Sequence, residues 1–271
     1  MSVHSKMTAI ADAIRGKTGG TNPLTLDQMA TAIAGIQTGG GGDEIYIALI
    51  NGTLTDYSLP SGVNSVRAYL FAGSKNLKTA DLSALDVNGG GGIDNNAFYQ
   101  CEKLESVVFP SDQTVGSWVS WIGSRAFSGC KSLKEVYIPV PGTFGSVSTY
   151  LFENCTALTK FVAPLTRTTQ TNGMFARCSA LTLVDMMGGA FGRWYFEHCS
   201  SLTTLVLRNS TVVSLSNTDA FQGTPFASGG TGGRVYVPAA LIESYQTATN
   251  WSTLYASGTC NFAAIEGSEY E

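Results

Sequence analysis

One phrase recurs along this chain and fixes what it can fold into. It reads "LFAGSKNLKTADL" at 70–82, "AFYQCEKLESVVFP" at 97–110 and "AFSGCKSLKEVYIP" at 126–139. It returns as "LFENCTALTKFVAP" at 151–164, "MFARCSALTLVDMM" at 174–187 and "YFEHCSSLTTLVLR" at 195–208, and a degenerate seventh copy begins at "AFQGTPF", 220–226. The anchors are Phe71, Phe98, Phe127, Phe152, Phe175, Phe196 and Phe221, spaced 27, 29, 25, 23, 21 and 25 residues apart. In the first six copies a leucine follows six residues later, at Leu77, Leu104, Leu133, Leu158, Leu181 and Leu202. A unit this short cannot bury its apolar side alone, but stacked copies share one continuous core. The chain is therefore expected to be a solenoid.

The spacing inside a copy outlines the coil. Beyond the leucine, apolar residues fall at alternate positions, as in Val107/Phe109, Val136/Ile138 and Leu205/Leu207, the period of a strand. Pro110, Pro139 and Pro164 lack an amide donor and are expected to stop the ladder. Upstream, "F-x-x-C-x-x-L" places apolar groups every three residues, which predicts a short helical or 3₁₀ turn. Seven coils at about 4.8 Å each give a rod about 30 Å long.

The stretch "WIGSRAFSGCKSLKEVYIP" (121–139) resembles the leucine-rich repeats of the BspA-like, or Treponema pallidum, type, and the likeness extends over about residues 54–240. It implies an α/β solenoid, a right-handed stack of about seven short coils. It also implies a non-enzymatic role at a bacterial surface, in adhesion or protein binding.

Cys101, Cys130, Cys155, Cys178 and Cys199 each lie three residues after a repeat phenylalanine. A metal or redox array is one reading, and a ladder of small buried side chains is the other. No CxxC is present, and the two histidines, His4 and His198, supply no ligand set. Ser74 and Thr224 fill the same slot in the first and last copies, which favours packing. Cys260 stands outside the ladder and is expected to be an accessible thiol.

The ends differ from the middle. "KMTAIADAIRGK" puts Met7, Ile10, Ala11 and Ile14 on one helical face, and "TLDQMATAIAGI" does so with Leu26, Met29, Ala30 and Ile33. Residues 1–38 thus read as a helical hairpin used for attachment, and 39–53 as a Gly-rich linker and first strand. Residues 54–231 are the repeats. In 232–271, Pro238 opens a helix and Trp251 packs back, forming a C-terminal strand-helix cap and tail. A hairpin so small needs a surface to dock on. Residues 7–36 resemble the short module that opens tail-associated proteins of phages and prophages of Gram-positive bacteria. That likeness implies a phage particle or homo-oligomer as partner of residues 1–38, with the protein on a virion or cell surface.

Composition excludes several classes. Charged residues are 13%, the net charge is −4 and no basic cluster appears, so a nucleic-acid partner is not expected. No apolar run reaches the ~18–20 residues of a membrane span, and residues 1–15 lack a secretion-signal core. "RGKTGG" (15–20) carries the GKT of a phosphate-binding loop, but Ala11 stands where that motif needs glycine. The carboxylates are scattered, so no catalytic residue, cofactor or metal is expected.

Binding is the better expectation. Aligned copies place Val108, Tyr137, Val162, Asp185, Val206 and Tyr236 in one outward row of the strands. A second row holds Ser106, Glu135, Lys160, Leu183, Thr204 and Arg234. Apolar groups on a solvated face suggest a partner for a protein or glycan on a cell surface, unless loops or a neighbouring subunit cover them. Trp118, in the long loop 111–123, and Trp194 with Tyr195 are further candidates.

Overall fold

A computed structural model describes residues 52–85, 92–111, 122–139, 142–143, 149–167 and 171–271. The expected hairpin at 1–38, nearly all of the linker and Trp118 lie outside the described residues. Residues 55–271 form one unit, whose spine is the repeat phenylalanine. From Phe71 to Phe221 the rings stack in sequence order, with centroid separations of 4.9, 5.1, 5.5, 5.8, 5.6 and 5.3 Å. All seven rings are fully buried. Each contributes about 1.5–3 kcal/mol by burial, and each ring pair about 0.5–1.5 kcal/mol more.

The turn carrying this phenylalanine is not the expected helix. It is a run of tight turns with left-handed residues on either side of the ring. Two positions before it stand Tyr69, Asn96, Arg125, Tyr150, Gly173 and Trp194, all at φ between 56° and 62°. Two positions after it stand Gly73, Gln100, Gly129, Asn154, Arg177, His198 and Gly223, again at positive φ. Turns closed by three-residue bonds, such as Tyr99 N–H to Asn96 O and Cys101 N–H to Phe98 O, give the same period of three as a 3₁₀ helix. Only the last coil has one, Thr218–Phe221, capped by Asn217.

Left-handed backbone costs a non-glycine residue about 1–2 kcal/mol. Here it points alternate amides along the stack. Asn96, Phe98 and Gln100 donate to Ser124, Ala126 and Ser128 of the next coil at 2.8–3.0 Å. Tyr150, Phe152 and Asn154 repeat the pattern onto Asn172, Met174 and Ala176. The turn side is thus laddered like a sheet. At Gly173 a side chain meets a further obstacle, because a Cβ there would collide with the Tyr150 ring.

The opposite side is a parallel sheet in two pieces. Strands β1 (Asp56–Ser58), β2 (Thr79–Asp81) and β3 (Ser106–Val108) form the first. Strands β4 (Glu135–Tyr137), β5 (Lys160–Arg167), β6 (Leu183–Met187), β7 (Thr204–Leu207), β8 (Gly233–Val237) and β9 (Cys260–Ala264) form the second, in sequence order. The register matches the aligned copies: Tyr137 pairs with Val162, Val162 with Asp185, Asp185 with Val206, and Val206 with Tyr236. Pro164 does not end its strand. β5 runs on to Arg167 and absorbs the missing donor in a register shift between Ala163 and Arg167. Short pairs just ahead of the phenylalanine, such as Ser65–Val66 with Gly92–Ile93, make a further row that the repeat pattern did not announce.

The cap contains the expected strand and helix, plus one more of each. After β8 come a 3₁₀ turn at Ala239–Leu241, helices α1 (Ile242–Thr247) and α2 (Trp251–Ala256), and then β9. Trp251 donates its indole N–H to Val213 O at 2.7 Å, and Val213 N–H donates to the Tyr245 hydroxyl at 2.9 Å. The two side chains thereby close the backbone of the last coil. Replacing the central spine ring, Phe127→Ala, is expected to cost about 3–5 kcal/mol in urea unfolding. Tyr137→Ala on the exposed face should cost under about 0.5 kcal/mol.

Candidate binding face

The cysteine row resolves as packing. Each thiol donates to the carbonyl of the phenylalanine one coil earlier: Cys101 to Phe71, Cys130 to Phe98, Cys155 to Phe127, Cys178 to Phe152 and Cys199 to Phe175, at 2.9–3.2 Å. The carbonyls of Phe98, Phe127, Phe152 and Phe175 already accept the amide of the cysteine in their own coil, so the thiol satisfies the second lone pair. In the last coil, Thr224 turns its hydroxyl onto its own Phe221 carbonyl instead, at 2.7 Å. Burial pushes the Cys101 thiol up to about 12 and raises Cys130, Cys155 and Cys199 as well. Among the described residues, no group of three or more His, Cys, Asp or Glu side chains is placed to hold a metal.

Cys260 corrects an expectation. It opens β9, pairs with Gly233 and has no exposed surface, and burial pushes its thiol up to about 12. Residues 260–264 are a strand of the sheet rather than part of a loose tail, which puts this cysteine inside.

The strand face is divided. Val108 is 51% exposed and Tyr137 58%, with Val162 half-buried beside them. Further along the same row, Asp185 is 7% exposed and Val206 is fully buried. These two, expected in the outward row, are covered, the alternative that the sequence left open. Arg208 makes a bidentate pair with Asp185, Nε to Oδ1 at 2.7 Å and Nη2 to Oδ2 at 2.9 Å. Its Nη2 also reaches the carbonyl of Tyr270 at 2.8 Å, and the Tyr270 ring meets Tyr236 edge-on at 4.7 Å. Residues 265–271 therefore form a C-terminal hook over the far half of the face, with Val206 bracketed beneath it. Asp185 holds the guanidinium and raises its pKa further. A carboxylate in an otherwise apolar row was the available signal that a cation must lie nearby. Nothing local marked Arg208 or Tyr270 as its partners.

Tyr195 is not a surface anchor. It immediately precedes Phe196, in the row of apolar residues Ala97, Ala126, Leu151 and Met174, and is fully buried against Phe175, Phe191 and Phe196. Its hydroxyl lies 2.9 Å from Met174 Sδ. Trp194 is half-buried at a left-handed turn position, its face covered by the Arg193 guanidinium at 4.6 Å. No helix among the described residues is long and apolar enough to cross a membrane.

Comparison with known families agrees with this coil. The family described as "BspA type Leucine rich repeat region (6 copies)" matches residues 48–115 and 91–226, well over half of the sequence. The chain belongs to the BspA-type leucine-rich repeat family. Three solved structures of leucine-rich repeat proteins are similar to this BspA-type chain. A leucine-rich cell surface protein of Faecalibacterium prausnitzii A2-165 is 18% identical over 65% of this chain and 59% of its own length, with a TM-score of 0.34. The chain thus spans less than two thirds of that relative. The Treponema pallidum leucine-rich repeat protein is 16% identical over 78% and 87%, at 0.33. A leucine-rich repeat protein of Bacteroides ovatus ATCC 8483 is 15% identical over 79% and 84%, at 0.23. No curated protein matches the sequence.

Attack on a thiol reagent needs a thiolate that the reagent can reach, and all six sulfurs are buried. At pH 8 the native chain is therefore expected to react at none of its six cysteines, and the denatured chain at all six. Rapid native modification, read by mass spectrometry, would refute the packed row.

Proposed function

We propose that this chain is a non-enzymatic binding protein whose strand face, around Val108, Tyr137 and Val162, holds a protein or glycan of a bacterial surface. The observation that carries the reading is the pair Val108 and Tyr137. Large apolar side chains more than half exposed are few among the described residues, and these two stand in one row of the face. Glu135, Lys160 and Ser106 flank them with polar groups, the arrangement of an apolar anchor with a polar rim.

The fuller form of the proposal places the protein on a phage or prophage tail, with residues 1–38 attaching to the particle or to sister chains. The likeness of residues 7–36 to modules of tail-associated proteins supports it. The second reading is an adhesion or interaction protein of the same family outside any virion, supported by the family match, which spans the repeats and involves nothing of a particle.

Fluorescently labelled full chain should bind Gram-positive cells, and the double change Val108→Asp with Tyr137→Glu should lower that binding by about tenfold or more. Loss on protease treatment of the cells identifies a protein partner, and loss on periodate treatment a glycan. No binding, or binding untouched by the double change, removes the face from consideration. For attachment, light scattering on the full chain should show an oligomer that Ile10→Asp with Ile14→Asp converts to a monomer. A monomer in both would leave the second reading in place.

A further inference from the structure

The hook is assembled chiefly from its own bonds. Ser268 donates its hydroxyl to Ile265 O at 2.6 Å, Tyr270 N–H donates to Ser268 Oγ at 3.1 Å, and Gly267 N–H donates to the Glu271 carboxylate at 2.9 Å. Gly267, at φ 76° and with open space about its Cα, reverses the chain. Past Ile265, the hook meets the body through Glu266, which accepts from Ala239 N–H at 2.9 Å, and through Tyr270. The Tyr270 seat has three parts. Tyr236 supplies an aromatic ledge, Thr204 stands beside the phenol, and Arg208 is held by both oxygens of Asp185 while its Nη2 also donates to a main-chain carbonyl. A guanidinium fixed by one carboxylate and aimed at a peptide oxygen recognises backbone, while the ledge recognises the ring.

We infer that the strand face from Asp185 to Tyr236 is a seat for a tyrosine-bearing peptide segment, and that residues 266–271 occupy it in cis as a competitor. The seat continues the row that carries Val108, Tyr137 and Val162, so the inference rests on reading that face as the partner surface. A partner lying along the whole face must displace the hook. A short tether supplies its occupant at about millimolar effective concentration, so a partner peptide binds more weakly to the closed chain in proportion to that concentration over the hook's own dissociation constant.

The test uses the full chain and an acetylated, amidated peptide of residues 264–271. Tyr270→Ala in the full chain vacates the ledge, and this variant should bind the peptide at least about tenfold more tightly than the unmodified chain does. Arg208→Lys, which keeps the charge and loses the fork, should weaken that binding when added to the variant, and a peptide carrying Tyr270→Ala should not bind. Equal affinity for both chains, or none for either, overturns the inference and makes the hook a fixed brace. Protection of Cys260 from thiol reagents reports that the variant is folded. Should it not be, hydrogen exchange on the unmodified chain decides. Amides 267–271 should exchange at least about a hundredfold faster than 261–264, and exchange of both segments together overturns the inference. No surface partner enters these measurements, so their failure leaves the cell-binding reading standing, and failure of cell binding leaves the peptide result standing.

Discussion

Everything in this molecule depends on the left-handed residues that bracket each spine phenylalanine. A backbone side running across the stack would ordinarily direct its amides within its own coil, as a helix does. Positive φ before and after the ring breaks that habit and aims two or three amides per coil at the next coil's carbonyls. Coil spacing is thereby set near the distance at which parallel rings stack, and the rings stay between 4.9 and 5.8 Å apart over six intervals. The thiols follow from the same geometry. A turn that leaves a phenylalanine carbonyl with an open lone pair beside the next coil needs a small donor there. Cysteine supplies one with little desolvation cost.

This explains which parts of the fold were legible. The phenylalanine and leucine periods, the strand register and the small slot at the cysteine are side-chain requirements, so they appear as letters. The left-handed backbone is not spelled the same way. Gly73, Gly129, Gly223 and Asn96 announce it, but Arg125, Tyr150 and Trp194 do not, and apolar groups three apart fit a helix equally well. Pro164 misled because a proline absent from the regular ladder can still sit inside a bulge. Cys260 misled because the repeat phrase stops before it, while the parallel sheet does not.

The strand face divides along the same line. Alternation placed the row Val108 to Tyr236 correctly, since register is a property of the repeat. Whether a member of that row meets solvent is decided elsewhere, by Tyr270, outside the repeats, and by Arg208, 62 residues from it, at a repeat position where the other copies carry no arginine. Asp185 held the one local clue. Burying a carboxylate among valines is unfavourable without a matched cation, and the bidentate pair is what the row demanded.

The position of the exposed patch follows from where the sheet is interrupted. Between β3 and β4 the strand ladder lapses, and Val107, whose counterparts Ala80, Val136, Val184 and Leu205 are buried, is left half-exposed. The spine does not lapse there: Phe98 and Phe127 stack at 5.1 Å, and the turn-side bonds from Asn96, Phe98 and Gln100 are intact. Because the turn side holds the coils together, the strand side can open without dividing the core. Apolar residues can then stand in solvent at a place where the fold needs nothing from them. Val108 and Tyr137 flank that interruption, so a change at either position should have little effect on the stack.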